Sequence, residues 1–291
     1  EEHEGYYTQE QIKDVVAYAA SKYINVVPEI EMPGHALAAL ASYPELSFDS
    51  TQTYKVSPTW GVFEQVFCPS ETTFKFFEGV MDEVVELFPS EYIHIGGDEC
   101  PKTAWKNSAF CQQLIRQLGL KDDVTPSKVD GVKHSKEDKL QSYFVTRMEK
   151  YLNDKGRNII GWDEILEGGL APNATVMSWR GVEGGLNAAK AGHNAIMTPM
   201  PYAYLDFYQE DPAIAPTTIG GYTTLKKTYS YNPAPDDADE LVKKHVIGMQ
   251  GNIWREYMKN SDRTDYQAFP RAMAIAETGW TLDANIMAGR D

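Results

Sequence analysis

Apolar positions along the chain follow two alternating rhythms. Short runs rich in Val and Ile occur at Ile24–Ile30, Tyr92–Ile95, Asn158–Gly161, Thr175–Ser178, Ala195–Thr198 and Val246–Met249. Such runs are what strands buried on both faces look like. Between them, apolar residues recur every three or four positions, the helical spacing. Thr8-Gln9-Glu10-Gln11 has the form of a capping box and predicts a helix over Gln9–Lys22. The same periodicity predicts helices over Phe74–Phe88, over Lys136–Lys155 with a stop near Gly156, and over Arg271–Trp280. Alternating strands and helices imply parallel strands, hence an α/β fold.

Two features complicate that pattern. Only Trp162–Ala174 separates the third and fourth strands, so Asp163–Leu170 is expected to form a helical turn or two, or no crossover helix at all. The segments Ser47–Pro69, Ala104–Ser135 and Pro201–Asp239 contain Pro and Asp, the first and third also Tyr, and are expected to be excursions of the kind that carry active sites on barrel enzymes. No repeat, low-complexity tract or linker divides the chain, and one domain over residues 1–291 is expected. Six strands are visible where a closed (β/α)8 barrel has eight, so two are hidden or the barrel is incomplete.

Composition narrows the classes. With 42% apolar and 24% charged residues the chain is globular, and a formal charge of −15 disfavours nucleic acid and anionic membrane surfaces as partners. No apolar run approaches the roughly 20 residues of a membrane helix. The opening Glu-Glu-His-Glu-Gly has no signal-peptide character. Cys68, Cys100 and Cys111 show no CxxC spacing, which argues against a metal knuckle and a disulfide scaffold but leaves one bridge open, Cys100 to Cys111.

Candidate chemistry gathers at the ends of the strands. Pro28-Glu29-Ile30-Glu31-Met32-Pro33-Gly34-His35, His94-Ile95-Gly96-Gly97-Asp98-Glu99, Gly161-Trp162-Asp163-Glu164, Ser178-Trp179-Arg180 and Asn252-Ile253-Trp254-Arg255-Glu256 all follow or close a strand. In parallel α/β barrels that rim is where chemistry is done. Tryptophan faces beside carboxylates suit a sugar ring, apolar on its faces and polar at its edge. Adjacent Asp98 and Glu99 repel each other, which raises at least one pKa, the condition a general acid needs. Each feature has a plainer reading too: an Asp-Glu pair as a solvated strand end, a tryptophan as core, His35 as a cap, and His94 as a packing residue inside its strand.

The motifs resemble glycoside hydrolase family 20, the β-N-acetylhexosaminidases. His94-Ile95-Gly96-Gly97-Asp98-Glu99 is very similar to that family's active-site signature, as are Val27 to His35, Gly161 to Glu164 and Tyr204-Leu205-Asp206. Trp254-Arg255-Glu256 falls where the family has Trp-x-Glu, and the matches keep the family's order from Tyr7 to Trp280. The resemblance implies an incomplete TIM-type barrel, the catalytic part of a longer enzyme whose first two strands have no counterpart here. It implies retaining hydrolysis of terminal β-linked N-acetylglucosamine or N-acetylgalactosamine, in which the substrate's acetamido oxygen attacks and forms an oxazolinium. Glu99 would be the acid and base, Asp98 would orient the acetamido nitrogen, and Tyr204 would bond its oxygen. Trp162, Trp179 and Trp254 would wall the pocket, Asp206 and Glu256 would hold ring hydroxyls, and His35 would support Glu99.

No metal and no organic cofactor is implied, the partner is a carbohydrate, and a secreted or periplasmic home is expected. Open sheet edges would favour oligomers. The chain departs from the family in lacking the substrate-binding Arg and an aspartate of the missing strands, and in having Glu31 where Asp is commoner. Weak activity is therefore one expectation, and a non-catalytic N-acetylhexosamine-binding protein is the alternative. A metal-dependent hydrolase using His35, His94, Asp98 and Glu99 is disfavoured by the lack of His-x-His or His-Glu-x-x-His spacing.

Overall fold

Side chains at Thr8 and Gln11 hydrogen-bond each other's backbone N–H groups, so the predicted capping box opens the first helix of the computed structural model, which describes residues 5–235 and 237–281. These residues fall into two compact units, divided after Ala174 except for a short stretch, Lys128–Gly131, that belongs with the second. Among them no helix is long and apolar enough to cross a membrane.

The first unit runs α1 (Gln9–Ser21), β1 (Glu29–Met32), α2 (Leu37–Ser42), α3 (Glu71–Leu87), β2 (Tyr92–Gly96), α4 (Thr103–Asn107), α5 (Ala109–Gln117), α6 (Lys136–Asp154) and β3 (Asn158–Trp162). Its strands pair in parallel, β1 with β2 and β2 with β3. β1 begins at Glu29 rather than at Ile24. Pro28 has no N–H to give a ladder, and the first contact to β2 runs from His94 N–H to the Pro28 carbonyl at 2.9 Å. Ile24 and Val27 stay exposed. α3 begins three residues earlier than its apolar spacing suggests, because the Ser70 hydroxyl caps it at Thr73 N–H. A single 3-10 turn, Asp163–Leu166, follows β3, which matches the short connection.

Packing explains these positions. Phe74 and Phe77 of α3 pack on Phe144 of α6, with ring centroids 4.8 Å and 6.1 Å apart. A second cluster joins Val66, Cys100, Trp105, Cys111 and Ile115. It rests on α4 and α5, which lie in a segment expected to be an excursion. Their apolar positions are few, but Cys111, Leu114 and Ile115 share one face of α5, and Ser108 caps that helix. The three cysteines are free thiols. The Cys100–Cys111 bridge left open by the sequence is absent.

The second unit runs β4 (Thr175–Ser178), α7 (Glu183–Lys190), β5 (Ala195–Met197), α8 (Met200–Ala203), α9 (Leu225–Tyr229), α10 (Glu240–His245), β6 (Val246–Met249), α11 (Ser261–Ala268) and α12 (Arg271–Trp280). β4 pairs with β5 and β5 with β6, again in parallel. The short helices α8 and α9 occupy the Pro201–Asp239 segment. Among the described residues the six predicted strands are thus found, all parallel where paired.

Truncating Phe144 to Ala should lower the free energy of unfolding by about 3–5 kcal/mol, through lost burial and a cavity between α3 and α6. Ser135→Ala, which removes one half of the α6 capping box, should cost only about 1 kcal/mol. Urea denaturation of the two variants measures both, and equal losses would contradict this account of the core.

Candidate active site

In the first unit the site is built where β1 and β2 end. Register between these strands slips: Glu29 faces His94 and Met32 faces Gly96, so three steps along β1 match two along β2. Such a bulge re-aims the side chain inside it, here Glu31. β2 stops because Gly96 and Gly97 take φ of 69° and 94°. Glu99 (φ 44°) and His35 (φ 48°) are left-handed without being glycine, a costly state that concentrates at functional sites.

The turn that carries Asp98 and Glu99 is held on every side. A Cβ on Gly34 would stand 2.9 Å from the Asp98 carbonyl, so the chain after β1 can approach only as glycine. The Gly97 carbonyl accepts from Gln141 Nε2 at 2.6 Å, and the Cys100 carbonyl accepts from Lys102 Nζ at 2.8 Å. Lys102 Nζ also donates to Gln141 Oε1 at 2.7 Å. The backbone on both sides of the acid pair is therefore tied to α6 through one amide and one ammonium.

His35 is brought to both carboxylates. Its Nε2 lies 3.2 Å from Asp98 Oδ2 and 3.4 Å from Glu99 Oε2, with 31% of its side chain exposed. The hydrogen bond to Asp98 raises the His35 pKa above its ordinary value; burial opposes this, and the charges of Asp98, Glu99 and Glu164 add to it. Glu99 is also raised, first by burial and then by the Asp98 charge, with His35 pulling the other way. Glu31 is pushed up to about 11 by burial, by the Asp98 charge and by hydrogen bonds to Glu29 and Asp98. It is thus a neutral carboxylic acid at pH 7. Glu31 Oε2 and Asp98 Oδ1 are buried and reach no N–H donor among the described residues, which fits one proton held between two carboxyl groups.

Trp162 is buried and its indole N–H donates to Glu29 Oε1 at 2.8 Å. His94 is a packing residue, as its place inside the strand suggested. Its Nδ1 accepts the Gly96 N–H at 3.0 Å, so no proton sits there, and its 3.4 Å approach to Glu29 is no ion pair. Burial lowers its pKa, and its ring packs 4.8 Å from Trp162. His94 thus stands outside the His35–Asp98–Glu99 group, whose three ligand-type atoms lie within 4.8 Å of one another. A cavity of about 530 Å³ lined by Phe48, Tyr54, Asn107 and Phe110, among others, contains none of the predicted site residues.

The second unit presents the remaining candidates. Tyr204 bridges Asn252 in parallel beyond the ends of β5 and β6, and the Leu205 N–H donates to the Asn252 carbonyl at 2.7 Å. The rings of Trp179 and Tyr204 lie 6.3 Å apart and 30° from parallel. Asp206, Trp254 and Glu256 line one small cleft with Thr218, Ile219 and Tyr257. Asp206 is buried and is pushed up to about 7, chiefly by desolvation. Behind it the fully buried Arg271 donates to the carbonyls of Leu205, Phe207 and Thr223, which fixes the turn.

Sequence reasoning passed over Glu29 and Glu31 as site residues, along with Gln141, Lys102 and Arg271. Glu31 had a signal: a carboxylate alternating with Glu29 in a run whose pattern predicts a buried strand must be paired or protonated. Gln141 and Arg271 have no local signal, since their partners are carbonyls distant in the chain.

Parallel strands ending in a shared acid–histidine cluster define an α/β protein with hydrolase-type site chemistry. The catalytic-domain model of glycosyl hydrolase family 20 matches residues 1–283, and the chain belongs to that family. It is 50% identical over 282 residues to a beta-hexosaminidase of Porphyromonas gingivalis, covering 96% of this chain and 34% of that protein. To a beta-hexosaminidase of Vibrio furnissii it is 36% identical, covering 99% of this chain and 45% of the other. Thus the chain spans a third to a half of the length of these relatives. Among solved structures, a beta-N-acetylhexosaminidase superposes with a TM-score of 0.82 at 30% identity, covering 99% of this chain and 60% of that one. A family 20 exo beta-N-acetylglucosaminidase of Vibrio harveyi, in complex with N-acetylglucosamine, gives 0.80 at 32% identity, covering 99% and 44%.

The state of Glu31 makes a signed prediction. A carboxyl protonated in the fold up to about pH 11, but ionised above 4.5 once unfolded, releases a proton on unfolding. Its contribution therefore falls as pH rises through that window, by up to about 1.4 kcal/mol per pH unit. Glu31→Gln removes this slope. The variant should gain stability relative to the parent between about pH 5 and about pH 9 in urea titrations. Parallel curves would show that Glu31 is ionised in the fold.

Proposed function

We propose that this chain carries the catalytic apparatus of a β-N-acetylhexosaminidase. It removes terminal β-linked N-acetylglucosamine or N-acetylgalactosamine with retention, by substrate-assisted catalysis. The observation that carries this reading is the unequal treatment of two adjacent carboxyl groups. Glu99 is raised and partly exposed, poised to give a proton to the leaving glycosidic oxygen. Asp98 is held by His35 and by the carboxyl of Glu31.

Adjacent residues suit this division. With the acetamido oxygen as nucleophile, the protein needs no second carboxylate at attacking distance. Asp98 accepts from the acetamido N–H, turns the oxygen toward the anomeric carbon and offsets the positive charge that grows on the oxazolinium. Glu99, deprotonated after the first step, takes a proton from the water that opens the ring. His35 supports Glu99 through the hydrogen-bond position its Nε2 offers to both acids. Tyr204 is assigned the acetamido oxygen, Trp162, Trp179 and Trp254 the walls, and Asp206 and Glu256 the ring hydroxyls. The N-acetylglucosamine bound by the Vibrio harveyi relative supports the sugar class.

Release from a chromogenic β-N-acetylglucosaminide tests the proposal. Glu99→Gln should lower kcat/KM by about 10²–10⁴-fold. Asp98→Asn should lower it too and weaken inhibition by a thiazoline that mimics the oxazolinium. Unaltered thiazoline inhibition in Asp98→Asn would remove substrate assistance from the mechanism. Thiazoline binding without any release would make the chain a binding protein.

The raised pKa of Asp206 adds a pH dependence. Ionised above about 7, it accepts a sugar hydroxyl more strongly than when neutral, so KM should fall as pH rises through 7. In Asp206→Asn that pH dependence should vanish and KM should be raised throughout. A pH-dependent KM surviving in the variant would assign the titration to another group.

A further inference from the structure

Two carbonyls, those of Gly97 and Cys100, flank the Asp98–Glu99 turn, and both accept from one polar pair outside it. Gln141 Nε2 donates to the Gly97 carbonyl at 2.6 Å. Lys102 Nζ donates to the Cys100 carbonyl at 2.8 Å and to Gln141 Oε1 at 2.7 Å. Asp138 Oδ1, one turn before Gln141 on α6, stands 3.8 Å from the same nitrogen. Gln141 is buried, and α6 beneath it is fixed in the core by Leu140, Phe144 and Met148. The pair can be wired in one way only. A carbonyl oxygen accepts, an ammonium donates, and an amide does both. With Lys102 on Oε1, the amide NH2 of Gln141 must face Gly97. A carboxylate at 141 would set acceptor against acceptor, and an apolar side chain there would take this donor from the Gly97 carbonyl.

We propose that Gln141 and Lys102 are positioning residues for Glu99, a role that rests on the hydrolytic reaction proposed above. They act through the backbone of the turn, and it is the Glu99 carboxyl that meets the leaving oxygen. Glu99 has a φ of 44°, a geometry that a residue with a side chain keeps only under constraint. Each peptide group is planar, so a held carbonyl fixes the plane to which it belongs. Gln141 fixes the plane that enters Asp98, and Lys102 fixes the plane that leaves Cys100. The three residues between them cannot relax by turning either plane.

The consequence falls on proton transfer. A general acid works only within hydrogen-bond reach of the atom it protonates, and a small displacement lowers the rate steeply. Freed from its two ties, the turn loses the constraint on Glu99, and the carboxyl no longer points in one direction. Bond cleavage then suffers in proportion to its need for a proton. An alkoxide leaves only when protonated, whereas a dinitrophenolate is a weak base and leaves unaided. Loosening of the fold as a whole would instead lower both reactions alike.

The test compares kcat/KM on an alkyl and a dinitrophenyl β-N-acetylglucosaminide, with folding of each variant checked by circular dichroism. Gln141→Met should lower the alkyl value about 10²-fold and the dinitrophenyl value by no more than about 3-fold. Lys102→Met should show the same inequality. Lys102→Arg, which can still donate to both oxygens, should return the alkyl value to within about 3-fold of the parent. If Gln141→Met does not fold, the two Lys102 variants make the same comparison. Equal losses on the two substrates, or no loss on the alkyl one, would overturn the positioning role while the parent's activity left the proposed function intact. A parent chain that cleaves neither substrate would overturn the proposed function, and the positioning role with it.

Discussion

The first unit depends on one crowded backbone turn. Gly96 and Gly97 end β2 in left-handed geometry, Glu99 follows in the same region, and Gly34 presses against the Asp98 carbonyl from the neighbouring segment. No ordinary side chain fits at Gly34 or Gly96 without movement, and the left-handed Glu99 persists only while its surroundings over-determine it. Those surroundings are specific: Gln141 and Lys102 on the flanking carbonyls, and Ile165 close over Gly97 and Gly161. Ile165 explains why a 3-10 turn rather than a loose loop follows β3. Its methyl occupies the space a Cβ would take at either glycine, so the end of β3 is part of the same constraint.

Electrostatics follows from that geometry. Holding Glu31, Asp98 and Glu99 near one histidine in partly desolvated space cannot leave every carboxyl ionised. The protein resolves the conflict unequally: Glu31 keeps its proton over the whole physiological range, Glu99 is shifted upward, and His35 is made more basic. A fully ionised set would repel itself apart, and a fully neutral one would have no base. Under the proposed mechanism, an acid that gives and later recovers a proton benefits from neighbours whose states do not change with it, and Glu31 is such a neighbour.

Much of this was legible in the residues, and the limits have physical causes. Val- and Ile-rich runs located all six strands because strands buried on both faces need no alternation. Pro28 and the Ser70 cap, which act through single hydrogen bonds rather than periodicity, shifted β1 and α3 by a few residues. α5 was missed because its buried face consists of few residues, one of them a cysteine that reads as chemistry rather than core. The cysteines left one bridge open, Cys100 to Cys111, eleven residues apart. The structure has three free thiols, and the Trp105 indole N–H, donating to the Phe67 carbonyl, ties the end of the long loop to α4. Motif reading singled out Asp98, Glu99 and His35, which lie within short segments and which the fold brings together. It could not find Gln141 and Arg271, whose task is to satisfy carbonyls brought near only by the fold.

Glu31 shows how substitution and backbone are coupled. At position 31, where the resemblance leads one to expect Asp, this chain places a side chain one methylene longer, and the longer arm must be accommodated. Two features do so together. The bulge in β1 redirects residue 31, and Gly96 leaves open the volume into which the Glu31 carboxylate extends; a Cβ there would overlap it. Glycine at 96 therefore answers two demands at once, a φ of 69° and room for a neutral acid beside Asp98. A residue tolerant of the φ alone, such as Asn, meets the first demand and fails the second. The change at 31 is thus conservative in charge and hydrogen bonding only because position 96 has no side chain, and the two positions are best understood as one unit of the site.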